Sequence, residues 1–555
     1  MKHRIFAVHI SLFACLAAMA QLNNTVEVTN EVKPVVTDAK KVEVKTQAVQ
    51  TQVKHYTMQY ATEGQPTTNY AEEPVGDYAT EEIVKGNKKG YVHLGGGTHG
   101  QLDGRASYQF NLTEDDALGV SLMLQGFDGK VRNNNFYGVK DWHSRDYRNR
   151  AAVKYNHHIE RGADVYARGA FENRVFNYMG GANYTDKQHN VLGSLDFGLM
   201  PYQVEDLMVE AKGGVDFFSQ NYQTTLTEKL GETLVHLDMV GAYKFTEQHQ
   251  VGLGLGFFNS SYGNAEFEGI TSLRLSPHYL FVGKQLSAQL GFFASTSGEV
   301  GPDAWVSYRI DPQSEVYVKA SSYETDNSFQ RYAREHPYFA FGDDVARNAK
   351  GVGKMKAEYH QIDVSVGYRI KRINGFSAHL NAGLDMVKNK SAFDWMSFSR
   401  NGCYMPCVEF AKRRNFYINA DFSYAYSDIL KVEAKNQINM VGSKLDDEWA
   451  KGSFTKPVFL MDWTADAKVL KGLYVGLEWD FAIYDEPSFD YELIGASYQC
   501  PDMLNMGASI RYTLPVKLPC TLFVKGDNLF DRKYDRYWGY RQMGVNVLGG
   551  LALSF

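Results

Sequence analysis

From Gly90 onward, apolar and polar residues alternate with a period of two, in runs of about ten residues. Leu473, Val475, Leu477, Trp479, Phe481 and Ile483 share one face, and Tyr474, Gly476, Glu478, Asp480 and Ala482 the other. Phe459, Met461, Trp463, Ala465 and Ala467 alternate in the same way with Leu460, Asp462, Thr464, Asp466 and Lys468. So do Val165, Ala167, Gly169 and Phe171 with Asp164, Tyr166, Arg168, Ala170 and Glu172. A period of two is that of a strand, whose faces here meet two different media.

Very short and longer polar connections separate these runs in turn. Short turns fall near 113–116, 158–162, 201–206, 246–249, 283–284, 311–314, 371–375, 427–428, 471–472 and 515–519. They hold turn chemistry such as Asp311-Pro312 and Lys471-Gly472. Longer connections fall near 96–101, 128–146, 176–187, 219–230, 261–265, 297–301, 325–354, 389–411, 441–453, 485–502 and 532–542. Ten turns and eleven loops imply 22 strands, with the turns in the periplasm and the loops outside. A soluble sandwich alternates equally well. The reading here is an all-β, transmembrane antiparallel β-barrel over 89–555, because the sequence shows no second apolar layer for a sandwich to pack against.

Composition agrees. Aromatics are 14% of the 555 residues, with 36 Tyr and 33 Phe against 7 Trp, a mix suited to strands and aromatic girdles. Mean hydropathy is −0.37, and no apolar run long enough for a membrane helix follows the N-terminus. A net charge of −6 gives no sign of nucleic-acid binding. Residues 1–20 read as a secretory signal: Lys2 and Arg4, an apolar core, then Ala18-Met19-Ala20. Leu12-Phe13-Ala14-Cys15 also resembles a lipoprotein cleavage box, and either route exports the chain. Residues 21–88, rich in Val, Thr, Lys, Glu and Gln, read as an extended or disordered periplasmic segment.

The final stretch, Phe523–Phe555, carries a family likeness. Its last strand alternates, with Leu551, Leu553 and Phe555 as the expected barrel-closing signal. Asp527-Asn528-Leu529-Phe530-Asp531-Arg532-Lys533-Tyr534, then Gly539-Tyr540 and a glycine-rich strand ending in Phe, resembles the end of TonB-dependent receptor barrels. That resemblance implies 22 strands, a Gram-negative outer membrane, and insertion by the barrel assembly machinery. Such receptors normally carry a plug of well over a hundred residues before the barrel, whereas 21–88 lacks a plug's strand and helix pattern. Val32-Lys33-Pro34-Val35-Val36 resembles the leader of plug-less, receptor-like barrels of Bacteroidetes-type bacteria. Thr25-Val26-Glu27-Val28-Thr29 has the form of an energy-coupling box, though without a plug it has nothing to move.

A 22-strand barrel with nothing inside is a wide aqueous hole, so something is expected to fill or cover it. Two long connections are aromatic-rich, and Phe329, Tyr332, Tyr338, Phe393, Trp395 and Tyr404 are the candidate ligand or partner residues. The expected partners are outer-membrane lipid, a surface lipoprotein and a periplasmic protein. Cys403 and Cys407 share one connection around Pro406, and a local disulfide there is the expectation; Cys500 and Cys520 fall at opposite ends of the wall, too far apart to bond. No catalytic constellation, phosphate loop, cofactor motif or metal-ligand spacing stands out, so the expected protein is not an enzyme.

Overall fold

The computed structural model describes residues 89–555 except 133–140, 160–162, 181–186, 222–228, 264–266, 340–354, 374, 399–402, 446–447, 452–455, 485–501 and 538–539. The signal, the 21–88 segment and Cys500 lie outside the described residues. Among those described, 22 strands form one closed antiparallel sheet, each paired with its neighbours in sequence. The ring closes between the first strand, Gly90–Gly97, and the last, Asn546–Ser554: Tyr91 faces Ser554, Leu94 faces Leu551 and Gly97 faces Leu548. Phe555 adds the final clasp. Its carbonyl accepts from the amides of Lys89 and Gly90 at 2.7 and 2.8 Å, and its own amide donates to the Gly90 carbonyl at 2.9 Å. The ring lies so close over Gly90 that a Cβ there would stand 2.3 Å from it. Leu551 and Leu553 stand in the ladder opposite Leu94 and Val92.

The alternation read from the sequence maps onto two faces. Leu195, Phe197, Leu290 and Val366 point outward, Leu195 with 60% of its surface exposed, and form the apolar belt a lipid face requires. Their neighbours Asp196 and Gln289 stand in the ladder on the opposite, lumenal face, with Asp196 directly across from Arg168 and Gly214. No described helix is long and apolar enough to cross a membrane.

All 21 connections fall where the sequence places them, but two are shorter than expected. The strands Asp116–Arg132 and Asp141–Ile159 fill most of 128–146, and Phe376–Phe398 and Cys403–Tyr426 fill most of 389–411. A tilted strand needs about 9–11 residues to cross the bilayer. These continue past it, where neither face meets lipid. Backbone pairing persists there although the polarity pattern lapses, as at Lys390-Ser391-Ala392, which pairs with Ala411, Phe410 and Glu409. Register shifts between Val387 and Lys390 and between Ala392 and Trp395 blur the period further. Phe393, Trp395 and Tyr404 therefore belong to strands, not to a loop; Trp395 pairs with Cys407 and Tyr404 with Phe398. Cys403 and Cys407 stand four residues apart on one strand. At about 3.3 Å per residue that separates their Cα atoms by about 13 Å, beyond the reach of a disulfide. Cys520, which opens the strand Cys520–Asp527, is a free thiol.

The belt makes a direct prediction. Leu195→Arg should cost about 2–4 kcal/mol of stability if the residue lies near the bilayer midplane, measured by denaturant unfolding from lipid vesicles. Unchanged stability would mean that this face does not meet lipid.

Candidate functional site: the closed mouth of the lumen

After the strand Ser314–Thr325 the chain turns back over the lumen. Ser328 caps a short helix, Phe329–Glu335, its hydroxyl accepting from the Arg331 amide at 3.2 Å. Just before it, the Asn327 amide donates to the carbonyls of Lys356 and Asn389 at 2.7 and 2.9 Å, tying the start of the loop to its own end and to the wall. The Gln330 backbone amide donates to wall residue Glu232 at 3.2 Å. Arg331 donates to Glu335 at 2.8 Å and to Glu358 at 2.7 Å. Glu358, 1% exposed, also accepts from Lys390 at 3.0 Å. A buried carboxylate with two cationic donors holds firmly, because neither charge is left alone.

The helix puts aromatic residues where water would otherwise stand. Phe329 packs on Tyr262 and Phe267 at 4.8 and 5.3 Å between ring centres, with Phe218 behind it at 6.2 Å. Tyr332 and His336 reach Phe393 on the strand Phe376–Phe398, at 6.1 and 5.2 Å. Tyr338 stacks flat on Tyr540 at 3.9 Å, and Trp142 meets Tyr540 edge-on at 5.5 Å. Phe329, Tyr332 and Phe339 are wholly shielded from solvent.

Two further pieces complete the closure. The short segment Met179–Gly180 pairs antiparallel with Cys403–Tyr404. Met179–Gly180 follows the fifth strand of the ring and Cys403–Tyr404 opens the sixteenth, so this backbone pairing joins walls half a turn apart, across the mouth. The last loop is shaped by Asn528. Its side chain donates to the carbonyls of Arg532 and Met543 and accepts from the Arg532 amide, all at 2.9–3.0 Å. Its φ of 50° is one that Asn tolerates better than most residues. The receptor-like Asn528-Leu529-Phe530 run thus organises the loop that carries Tyr537 and Tyr540 into the mouth.

Below this plug of rings the lumen is polar. Arg148 pairs with Glu172 at 2.6 Å, Arg174 with Asp146 at 2.6 Å, and Arg274 with Asp238 at 2.8 Å. A small, partly open recess lies between Arg148, Arg174 and Asn190 on the wall and Arg334 on the helix. The charges the sequence places inside also find partners: Asp466 pairs with Arg511, Lys468 with Asp428, Glu478 with Lys525 at 3.0 Å, and Asp480 accepts from Asn505 at 2.9 Å.

Phe329, Tyr332, Tyr338 and Phe393 therefore meet in one cluster, while the side chains of Trp395 and Tyr404 lie outside the described residues. The sequence reading finds no second apolar layer, yet one exists at the mouth. Its signal is the doubled aromatic: in Phe217-Phe218 and Phe257-Phe258 the first ring faces out, and the second is 3% and 2% exposed inside. Strict alternation allows one apolar face, so such doublets mark strands that are apolar on both. Likewise, no metal-ligand spacing is visible along the chain, but Asp196, Asp216 and His236 converge from three adjacent strands.

A closed 22-strand sheet, an outward apolar belt and a polar lumen define a large outer-membrane β-barrel. More particularly, it has the barrel fold of the TonB-dependent receptors. No family model matches the chain, and no curated protein matches it by sequence. Among solved structures it resembles the ferric-catecholate import receptor Fiu of E. coli K12 in its closed form (TM-score 0.61, 9% identity, 85% of this chain and 82% of that one). It also resembles the FrpB iron transporter of Neisseria meningitidis (TM-score 0.65, 9% identity, 86% and 83%). A third is the ferripyoverdine receptor of the outer membrane of Pseudomonas aeruginosa (TM-score 0.58, 11% identity, 84% and 72%). At these identities the likeness is one of fold. These neighbours are receptors and transporters rather than enzymes.

Two predictions concern the mouth. Phe329→Ala removes a fully buried ring and should destabilise the inserted loop by about 3–5 kcal/mol, seen as faster hydrogen exchange over 328–339 while barrel strands stay protected. His336 is 3% exposed, and neither ring nitrogen has a hydrogen-bond partner. Burial, aided by the nearby Arg174 charge, brings its pKa from 6.5 down to about 3. Below pH 6.5 a released loop takes up a proton that the inserted loop refuses, so insertion should weaken as pH falls from 6.5 toward 3. Exchange over 328–339, corrected for its intrinsic pH dependence, should rise at pH 4.5 in the wild type and rise less in His336→Phe.

Proposed function

We propose that this chain is a plug-less, TonB-receptor-like barrel that serves as a non-enzymatic subunit of a larger cell-envelope assembly. The observation carrying the reading is the mouth itself. The helix Phe329–Glu335 and the pairing of Met179–Gly180 with Cys403–Tyr404 stand across the lumen, so the chain's own loops do the occluding work of a plug. On this reading the 21–88 segment contacts a periplasmic partner and the outer connections engage a surface lipoprotein. The second reading is uptake of a bulky solute such as a glycan or peptide, by passive diffusion or with TonB. The fold neighbours and the charged lumen favour it; the closed mouth speaks against its passive form.

Two measurements divide these readings. In planar bilayers the intact protein should show no large steady conductance, and removal of 328–339 should open one. Purified from membranes in mild detergent, it should bring stoichiometric partner chains with it. A wild-type protein that purifies alone and conducts steadily would overturn the assembly reading in favour of a channel.

A further inference from the structure

We propose that Asp196, Asp216 and His236 form a binding site in the lumen for a divalent first-row transition-metal ion, with zinc as its simplest representative. The site is independent of how the barrel is used.

The three residues come from three consecutive strands, Gln188–Val204, Leu207–Asn221 and Lys229–Lys244. Register brings them together. Asp196 lies opposite Gly214, and Gly214 lies opposite His236, so the glycine stands between the two ligands. Asp216, two residues on, projects from the same lumenal face. One donor atom from each side chain falls within 4.8 Å of the others. The site is level with the apolar belt, since Leu195, Phe197, Val235 and Leu237 flank it on the outer face.

The spacing is the observation that points to an ion. His236 Nε2 stands 3.7 Å from Asp196 and 3.6 Å from Asp216, too far for a hydrogen bond to either. Other His–Asp pairs in this barrel close fully: His157–Asp116 at 2.8 Å, His158–Asp164 at 2.7 Å and His360–Asp385 at 2.8 Å. A tetrahedral ion with ligand bonds of about 2.1 Å holds its donors about 3.4 Å apart. His236 thus stands from each carboxylate near the separation a metal needs and beyond the one a hydrogen bond needs.

Gly214 keeps that gap. A Cβ there would lie 2.8 Å from the Asp196 carboxylate and 2.9 Å from His236 Nε2, inside the space where the donors converge. Charge agrees as well. Among the described residues neither carboxylate forms an ion pair with Lys or Arg, whereas Asp146, Glu172 and Asp238 each do. Two carboxylates and a neutral imidazole match a doubly charged cation. The imidazole favours zinc, iron, nickel or copper over magnesium, calcium and manganese, which prefer oxygen ligands. Three protein ligands leave at least one position facing the lumen, so the ion is exchangeable, in contrast to a closed structural site.

The test uses the full chain, folded in detergent, and zinc alone. Equilibrium dialysis should find one more zinc per wild-type barrel than per His236→Ala or Asp216→Asn barrel, retained against a large excess of magnesium. Gly214→Ala, which removes no ligand but fills the space between Asp196 and His236, should weaken that zinc at least tenfold. Circular dichroism and heat-dependent gel mobility establish that each variant has formed the barrel. Equal zinc in the wild type and His236→Ala, or displacement by magnesium, overturns the proposal.

Discussion

In hydrocarbon every backbone N–H and C=O must find a partner inside the protein, and a sheet meets this demand only by closing on itself. The pairing of Gly90–Gly97 with Asn546–Ser554 is where this chain does so. Much else follows from that seam. Closure forces the strands into two faces, one for lipid and one for the lumen, and the alternating residues are sorted by it. Twenty-two strands then fix a width that side chains from the wall cannot fill. The chain answers a second problem that the solution of the first creates.

Its answer has two parts with different physics. At the mouth the solution is dry: rings from the helix, the last loop and the wall pack together and exclude water. Burying one such ring is worth about 1.5–3 kcal/mol, so several together offset the cost of ordering a long loop. Farther in, the solution is wet: charged side chains pair across neighbouring strands and leave room between them. Glu358 joins the two regimes, for it lies at the foot of the loop and receives both Arg331 from the helix and Lys390 from the wall.

Much of the wall was legible in the sequence because its period of two is enforced residue by residue by lipid on one side and water on the other. Each turn, such as Asp311-Pro312 or Lys471-Gly472, announced itself locally. Legibility failed where that enforcement stops. Above the bilayer Lys390-Ser391-Ala392 reads as loop although its backbone is paired. Inside the mouth Phe218 reads as a wall residue because its partner Phe329 is over a hundred positions away. Asn528 belonged to a recognisable run, but its work of bracing a loop through two carbonyls could not be read from spacing. The cluster of Asp196, Asp216 and His236 depends on strand register, which no local pattern encodes.

The hairpin formed by Phe376–Phe398 and Cys403–Tyr426 has strands of 23 and 24 residues. At about 3.3 Å per residue and a tilt of about 40°, such strands rise about 60 Å, more than twice the apolar band of about 25 Å. Its upper part therefore extends beyond the membrane and folds into the mouth: Phe393 leans on His336 of the inserted loop, and Cys403–Tyr404 at its tip pair with Met179–Gly180 from the far wall. A body arriving from outside meets this hairpin as part of the mouth. Whatever grips the tip acts on a paired ladder that ends against the residues sealing the lumen.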